Sequence, residues 1–172
     1  MRSCSSMLIA ITALTLGAAL AWAAEPIQVT GELTCKTTEQ HAVPVEGDPG
    51  HVLVVQKVTC SGSATGQSAR FDGGQQTWVE ADDLVKGSGM IRGYELAKYK
   101  DGSTGVTGYS RAQVAKMIDG KPEWVAEGTW EQTHGTGNLE NVQLRDARAA
   151  KPISETEYVM DWEGTLTEGS KQ

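Results

Sequence analysis

Apolar and polar residues alternate strictly along two segments of the chain. Over residues 122–132 the even positions include Trp124, Ala126, Gly128 and Trp130, whereas the odd positions carry three glutamates. A period of two residues is typical of a β-strand with one face toward a core and the other toward water. We therefore predict a half-buried strand here, with an acidic outer face.

The second alternating segment, residues 156–167, has the same construction. Its apolar face carries Tyr158, Met160, Trp162, Gly164 and Leu166. Both segments contain Glu-Gly-Thr with the glycine on the apolar face. Glycine inside a strand usually marks a bend or a close approach, and in a sheet that closes on itself such positions relieve crowding. The repeat predicts two similar walls of one closed sheet.

Further strands are predicted within residues 51–62, 76–84 and 89–124. The last range contains Asp-Gly at 101–102 and at 119–120, and Asp-Gly between apolar runs indicates a hairpin, because the turn that matches strand twist needs positive φ angles. Residues 109–117 are the best candidate for a helix, but glycines flank them, and we interpret them as a strand.

These segments amount to eight or nine strands connected mainly by hairpins. We predict an all-β fold, a single closed antiparallel up-and-down β-barrel of about eight strands, because closure removes unpaired strand edges. A β-sandwich is the alternative.

Residues 127–143 resemble the strand, glycine corner and following strand of small secreted bacterial proteins with an allene-oxide-cyclase-like β-barrel. The matching residues are Gly128, Thr129, Trp130, Gly135, Thr136, Gly137 and Leu139. After Asn141 the family pattern has a glycine where this chain has Val142. The resemblance implies an eight-stranded barrel with an interior cavity, and it carries over no catalytic residue.

The first 23 residues have the features of a secretory signal peptide. Arg2 precedes an uncharged apolar run, and Ala21-Trp22-Ala23 provides small residues at a cleavage site. The run is shorter than the about 20 apolar residues that a membrane span needs. We predict cleavage after Ala23, a barrel domain over 24–172, and an exported soluble protein, periplasmic or secreted, without a membrane span.

Charge argues against nucleic acid as a partner. The chain has 15 Lys+Arg and 22 Asp+Glu, a net charge of −7. Loss of Arg2 with the signal peptide would change this to −8. Proteins that neutralise phosphates need clustered basic residues, and here they are scattered between acids. An anionic membrane surface is disfavoured for the same reason.

Removal of the signal peptide would leave two cysteines, Cys35 and Cys60. In an oxidising compartment pairing is the default, so we predict a disulfide between them, with two free thiols as the alternative. A closed loop of about 25 residues would stabilise the fold by roughly 3 kcal/mol.

Three polar motifs are interpreted as structural features. The glycine-rich run 134–138 has strand signals on both sides, so we interpret it as a corner between strands and not as an anion-binding loop. Residues 38–51 contain His41, His51 and three acids, but their spacing matches no zinc pattern, and a polar surface loop is expected. Asp82-Asp83 is interpreted as a solvated turn. We predict no metal and no cofactor.

The interior supplies the candidate ligand-binding residues. Trp124, Trp130, Tyr158, Met160 and Trp162 share the apolar phase of the two alternating strands. The lumen of an eight-stranded barrel is either filled by side chains or wide enough for one small ligand. These residues therefore form either an ordinary core or the lining of a pocket.

Glu95 is the candidate catalytic residue, and its orientation depends on the phase of residues 90–99. If Ile91 and Tyr99 face inward, Glu95 does too, and a carboxyl group in an apolar lumen has a raised pKa and can act as a base. If Tyr94 and Leu96 face inward, Glu95 is solvated. The second phase buries the larger apolar area, and we favour it.

Three functional hypotheses follow. The first is an exported barrel that binds a small apolar molecule or a partner protein, such as an envelope protein, without catalysis. The second is a cyclase- or isomerase-like enzyme that uses a lumen carboxylate. The third is a non-catalytic envelope protein with a filled barrel. The sequence does not indicate an oligomeric state.

Overall fold

The computed structural model describes residues 25–118 and 121–168 and contains one closed antiparallel barrel. The eight strands are β1 (Ile27–Pro44), β2 (His51–Ser63), β3 (Gln75–Val85), β4 (Ser88–Lys98), β5 (Thr104–Ile118), β6 (Lys121–Thr136), β7 (Val142–Pro152) and β8 (Glu157–Glu168). Each strand pairs with the next, and β1 pairs with β8, so that the sheet closes. The predicted up-and-down barrel is confirmed, and the sandwich alternative is wrong. The predicted signal peptide lies outside the described residues.

The two ends of the barrel differ in their connections. At one end, which we call the hairpin end, residues 45–50, 86–87 and 153–156 join consecutive strands. At the other, the plugged end, lie the connections 64–74, 99–103 and 137–141, which include the 3-10 helices Gly66–Phe71 and Gly137–Leu139. The Phe71 ring packs edge-on against the Tyr99 and Trp162 rings, each at 5.7 Å between centroids. This apolar contact closes the plugged end.

The predicted hairpin at 101–102 is present. Gly102 has a φ of 86°, in the left-handed region that the turn requires. The second predicted turn, 119–120, lies outside the described residues, although Ile118 and Lys121 are paired on either side of it. Residues 109–117 belong to β5, as predicted.

The corner predicted at 134–138 is shorter than expected. Strand β6 continues to Thr136, and the change of direction is made by the 3-10 helix Gly137–Leu139, whose Leu139 is buried. Gly137 opens this helix with a φ of 61°. Residues 134–136 of the glycine-rich run therefore belong to strand β6 and residues 137–138 to the corner, with no α-helix after it.

Two other interpretations of polar segments are wrong. Residues 38–44 are part of β1 and only 45–50 form a turn, because β1 and β2 extend their pairing to Pro44 and Val52. Asp82 and Asp83 lie within β3, not in a turn, and strand alternation sends Asp82 inward and Asp83 outward.

The predicted disulfide joins directly opposite residues of neighbouring strands. Cys35 on β1 and Cys60 on β2 are register partners with a Cα–Cα distance of 4.1 Å. Both side chains face the lumen and are buried. The bond therefore crosslinks the first hairpin from inside the barrel.

The two glycines of the repeated Glu-Gly-Thr are sites of close approach. A Cβ atom on Gly128 would overlap the Ser110 carbonyl oxygen and the Arg111 backbone. On Gly164 it would lie 2.6 Å from the Arg145 carbonyl oxygen. Both positions therefore allow the neighbouring strand to approach closely, which is one of the two roles that the sequence predicts for them.

Candidate functional site

The half of the lumen nearer the hairpin end contains a buried group of polar side chains. Alternation along β3, β5 and β8 turns these side chains inward, next to Trp78 on the same face of β3. We call the group the lumen cluster; it consists of Glu80, Asp82, Tyr109, Arg111 and Tyr158. Burial of so many polar groups at one level of the barrel is unusual for a filled core.

An ion pair lies at the centre of the lumen cluster. Arg111 Nη2 donates to Glu80 Oε2 at 2.8 Å, and the two side chains are 2% and 0% exposed. Gln56 Nε2 donates to the same Glu80 oxygen at 3.0 Å and to Asp82 Oδ2 at 2.8 Å. One carboxylate therefore faces a guanidinium, and the amide of Gln56 bridges it to the second.

Several polar atoms of the lumen cluster have no partner in the protein. In the described chain seven buried side-chain polar atoms lack a hydrogen bond, and six belong to the cluster. They are Glu80 Oε1, Asp82 Oδ1, Tyr109 Oη, Tyr158 Oη and two nitrogens of Arg111, Nε and Nη1. Buried polar groups almost always have partners, so such a concentration indicates a place for a ligand or ordered water.

A cavity of about 140 Å³ adjoins the cluster at the hairpin end. Its lining includes Gln56, Asp82, Arg111, Gln113, Trp124 and Tyr158, together with residues 154–157 of the last hairpin. The Trp124 and Tyr158 rings meet edge to face at 5.6 Å. The cavity therefore combines an aromatic wall with a guanidinium, three carboxyl groups and three glutamine amides, of which Gln40 is the third.

Burial raises the pKa of Asp82 to about 7, and the neighbouring Glu80 contributes to the rise. Arg111 and the hydrogen bond from Gln56 act in the opposite direction. A carboxyl group that titrates near neutral pH can donate or accept a proton. Asp82 therefore lies at the cavity in a state suited to proton exchange.

Glu95 belongs to a second polar group nearer the plugged end. Arg148 Nη1 donates to Glu95 Oε2 at 2.8 Å, and Arg148 Nε and Nη2 donate to the two oxygens of Asp146 at 3.1 and 3.0 Å. The Arg148 guanidinium also lies 4.6 Å from the centre of the Trp130 ring. The space beside this group is about 20 Å³, enough for one water molecule.

The outward, solvated orientation that we favoured for Glu95 from the sequence is wrong. Ile91, Glu95 and Tyr99 face the lumen, whereas Tyr94 and Leu96 point outward and are 67% and 56% exposed. Burial raises the pKa of Glu95, and Arg148 opposes the shift. The phase that buries less apolar area is the observed one, because an arginine from a distant strand compensates the carboxylate.

The five predicted lumen residues, four aromatic residues and Met160, occupy three different levels of the barrel. Trp124 and Tyr158 line the hairpin-end cavity, whereas Trp162 lies at the plugged end against Phe71. Met160 and Trp130 are fully buried, and Trp130 stacks on Tyr109 at 5.2 Å. The structure therefore does not bring the five together in one pocket, because side chains fill the middle of the lumen.

Glu80, Asp82 and Arg111 were not predicted from the sequence as site residues. All three had a usable signal, since Trp78, Glu80, Asp82 and Leu84 share one phase and Arg111 follows Tyr109 by two. Charged side chains are expected on the surface, so burial of these three was not predicted. Their burial is possible because they interact with one another across the lumen.

His51, in the histidine-containing segment, forms hydrogen bonds with two carboxyl groups near the hairpin end. His51 contacts Asp48 Oδ2 at 2.9 Å and Asp83 Oδ1 at 2.7 Å, and these hydrogen bonds raise its pKa. Within residues 25–118 and 121–168, no three side chains of metal-binding type are grouped to hold an ion.

The described residues include no helix of the length and apolarity that crossing a membrane requires.

Comparison with known proteins relates the fold to dirigent proteins. No protein-family model and no curated protein matches the sequence. The structure of the pterocarpan synthase dirigent protein PsPTS1 aligns with a TM-score of 0.52 at 10% identity, over 87% of this chain and 99% of that one. That of GePTS1, also a pterocarpan synthase dirigent protein, gives 0.51 at 10% identity, over 86% and 87%. This chain therefore has the eight-stranded barrel of dirigent proteins, a fold related to allene-oxide-cyclase-like barrels.

Proposed function

We propose that the barrel binds one small molecule in the hairpin-end cavity. The observation that carries the proposal is that Asp82, Arg111 and Tyr158 all line this cavity and all have unpaired polar atoms. These atoms themselves have almost no accessible surface. A ligand with a hydroxyl or carbonyl group would therefore give them the hydrogen bonds that the protein does not only after a small shift of the side chains that line the cavity.

Size and shape restrict the ligand. A closed apolar cavity of roughly 150 Å³ accommodates one benzene ring, and this cavity has about 140 Å³. The Trp124 and Tyr158 rings offer an aromatic wall. We therefore expect a single substituted ring, or the ring end of a longer molecule that extends out of the hairpin end. The ligand is more polar than the apolar molecule that the sequence suggested.

Export belongs to the same proposal. The Cys35–Cys60 disulfide supports an oxidising compartment, and residues 1–23 have the features of a signal peptide. Together with the resemblance to small secreted bacterial proteins, they favour a soluble periplasmic or secreted binding protein. If no ligand binds, the third hypothesis, a filled envelope barrel, is the better one.

A second candidate function is proton-transfer catalysis on the bound molecule. It is favoured by Asp82, whose pKa of about 7 suits a general acid or base, with Arg111 available to stabilise negative charge. The two dirigent structures with this fold are called pterocarpan synthases. Glu95 is less suited than Asp82, because Arg148 occupies its carboxylate and no cavity of ligand size adjoins it.

Binding of phenol, benzyl alcohol and benzoate to the purified mature protein tests the proposal. Ligand-observed NMR and tryptophan fluorescence would give the affinity for wild type, Asp82→Asn and Asp83→Asn. Asp83 is the matched control, since it lies next in the chain but points outward. We expect at least one ring to bind wild type and Asp83→Asn, and Asp82→Asn to change that affinity about tenfold.

Two results would contradict binding at this site: no probe binds wild type, or a probe binds equally well to wild type, Asp82→Asn and Trp124→Ala. Native mass spectrometry of protein from its own compartment would show whether a natural ligand is retained.

A further inference from the structure

We propose that the small molecule in the hairpin-end cavity is a cation, with an ammonium group attached to its aromatic ring. The inference rests on the proposed function, because it assigns a charge to the ligand that this cavity would hold. Three observations support it: the balance of charges around the cavity, a buried carboxyl oxygen without a partner, and the two rings of the aromatic wall.

Carboxyl groups outnumber basic groups in the lining of the cavity. Among the described residues that line it, Asp82, Glu155 and Glu157 carry carboxyl groups, whereas Arg111 alone is cationic. The Arg111 guanidinium is already paired with Glu80, at 2.8 Å, and so offers little charge to a ligand. The cavity therefore has an excess of negative charge even when Asp82 is protonated.

Two of the three carboxyl groups have no cation paired with them among the described residues. Glu157 pairs with Lys36 at 3.0 Å, but no ion pair includes Glu155. Asp82 accepts a hydrogen bond from the uncharged amide of Gln56, and its other oxygen, Oδ1, has no partner. Asp82 is only 5% exposed, so water compensates its charge poorly. A cationic ligand would supply the missing charge.

The aromatic wall suits an ammonium group as well as a ring. The Trp124 and Tyr158 rings meet edge to face at 5.6 Å, and the face of an aromatic ring attracts a cation. Tyr158 already has such a contact, since the Arg111 guanidinium carbon lies 5.8 Å from the centre of its ring. Rings beside carboxyl groups therefore provide both kinds of contact that an aromatic amine needs.

The ammonium group does not have to touch Asp82 in order to benefit from it. Asp82 Oδ1 has almost no accessible surface, but attraction between charges extends over several ångströms and is screened less in a partly buried site than in water. Glu155 belongs to the exposed turn at the hairpin end. An ammonium group near Glu155 keeps part of its hydration and avoids the full cost of burying a charge.

Other charge states of the ligand fit the cavity less well. A carboxylate could pair only with Arg111, where it would meet the negative charge of Glu80. A neutral alcohol could form hydrogen bonds, but it would leave the charges of Asp82 and Glu155 uncompensated. Charge is therefore the property of the ligand that the cavity distinguishes.

Benzylamine, benzyl alcohol and benzoate test the proposal, because they share one ring and differ in charge. At neutral pH the first is a cation, the second is neutral and the third is an anion. Ligand-observed NMR and tryptophan fluorescence of the mature protein would give the three affinities. We expect benzylamine to bind about tenfold more tightly than benzyl alcohol, and benzoate to bind most weakly. Added salt should reduce the difference.

Two variants show whether this preference arises in the cavity. Glu155→Gln and Asp82→Asn should each reduce the ratio of the benzylamine affinity to the benzyl alcohol affinity by about threefold or more. A ratio within one variant cancels changes in cavity shape that affect both probes. Glu163→Gln is the matched control: it removes the same charge at an exposed outward position on β8 that does not line the cavity, and it should keep the wild-type ratio.

The inference is overturned, and the proposed function is kept, if benzyl alcohol or benzoate binds wild type as tightly as benzylamine does. An unchanged ratio in both cavity variants, each verified as folded by near-UV circular dichroism, would also overturn it. If Asp82→Asn does not fold, Glu155→Gln in the exposed turn gives the comparison alone. An equal fall of the ratio in Glu163→Gln would assign the preference to the net charge of the chain and not to the cavity. Binding of none of the three probes would overturn the inference and the proposed function together.

Discussion

Asp82 and Asp83 are neighbours with the same side chain, and they differ only in the side of β3 on which they lie. Asp83 pairs with His51 on the outside, whereas Asp82 faces Glu80 and Arg111 within the lumen. At the scale of the residue, the environment that strand alternation selects therefore determines whether a carboxyl group is an ordinary surface acid or a buried one that titrates near pH 7.

The pH dependence of stability should reveal the buried Asp82. Its pKa is about 7 in the folded protein and near 4 in the unfolded chain. The folded state therefore binds more protons between these values, and its stability falls as pH rises from about 4 to 7. Glu95 and His51, whose pKa values are also raised in the folded protein, contribute to the same decline. Asp82→Asn should therefore make the decline smaller and raise the free energy of unfolding at pH 8 by about 1 kcal/mol or more.

Urea unfolding of wild type and Asp82→Asn at pH 5 and pH 8 measures this effect. Asp161→Asn, at an exposed outward position on β8, is the control, and it should retain the wild-type decline. A wild-type stability that is constant between the two pH values would contradict a raised pKa for Asp82.

Arg148 and Arg145 offer a second residue-scale comparison on one strand. Arg148 is buried between Glu95 and Asp146, whereas Arg145 pairs with Glu131 on the surface. Arg148→Leu leaves two buried carboxylates without their cation and should cost about 3–5 kcal/mol of folding free energy. Arg145→Leu should cost about 1 kcal/mol or less. If thermal or urea unfolding shows equally small losses of folding free energy for both variants, the buried ion pairs do not contribute the expected stability.

Within the strands, β6 and β8 each have a glycine where the backbone of the neighbouring strand approaches closely. A methyl group on Gly128 or Gly164 would meet backbone atoms of the neighbouring strand, which cannot move aside as a flexible side chain would. Gly108 on β5 is different, because a Cβ atom there would make an ordinary contact, at 3.6 Å, with the Tyr94 ring.

Alanine substitutions at these glycines should distinguish overlap with the backbone of a neighbouring strand from an ordinary side-chain contact. Gly128→Ala and Gly164→Ala are each expected to destabilise the protein by about 1–3 kcal/mol through overlap with the adjacent strand. Gly108→Ala should be neutral or slightly stabilising, because alanine loses less backbone entropy than glycine on folding. Chemical denaturation of the three variants gives the comparison, and a neutral Gly128→Ala would rule out the close approach.

At the scale of the whole molecule, the barrel is held by strand closure, by a filled aromatic middle and by one disulfide. The pairing of β1 with β8 joins the two ends of the described chain. The Trp78, Tyr109 and Trp130 rings pack at 5.2–6.4 Å from one another in the middle of the lumen, with the Arg111 guanidinium over Trp78 and the Arg148 guanidinium over Trp130. This filled layer separates the hairpin-end cavity from the plugged end.

The disulfide makes the stability of the whole barrel dependent on redox conditions. Reduction of Cys35–Cys60 should lower the free energy of unfolding by roughly 3 kcal/mol, since the unfolded chain loses a closed loop of 25 residues. The double variant Cys35→Ala/Cys60→Ala should lose a similar amount and no longer respond to reductant. A wild-type midpoint that reductant does not shift would show that the bond contributes little.

Most of the fold was predictable, and the candidate site largely was not. Alternation at 122–132 and 156–167 predicted β6 and β8, and the Asp-Gly at 101–102 predicted the turn before β5, because strand faces and turns depend on neighbouring residues. Glu80, Asp82 and Arg111 were not identified, since a charged residue is expected on the surface unless its partner is known.

Local period, short connections and residue type predicted most of the strands, their antiparallel order, the closure of the sheet and the cysteine pair, but residues 38–44 of β1 were predicted to be a loop. Which face of β3 and β4 is inside depends on contacts between distant strands. Glu80 depends on Arg111, 31 residues away, and Glu95 on Arg148, 53 residues away. The energy of a buried charge is set by such distant partners, and only the closed barrel brings them together.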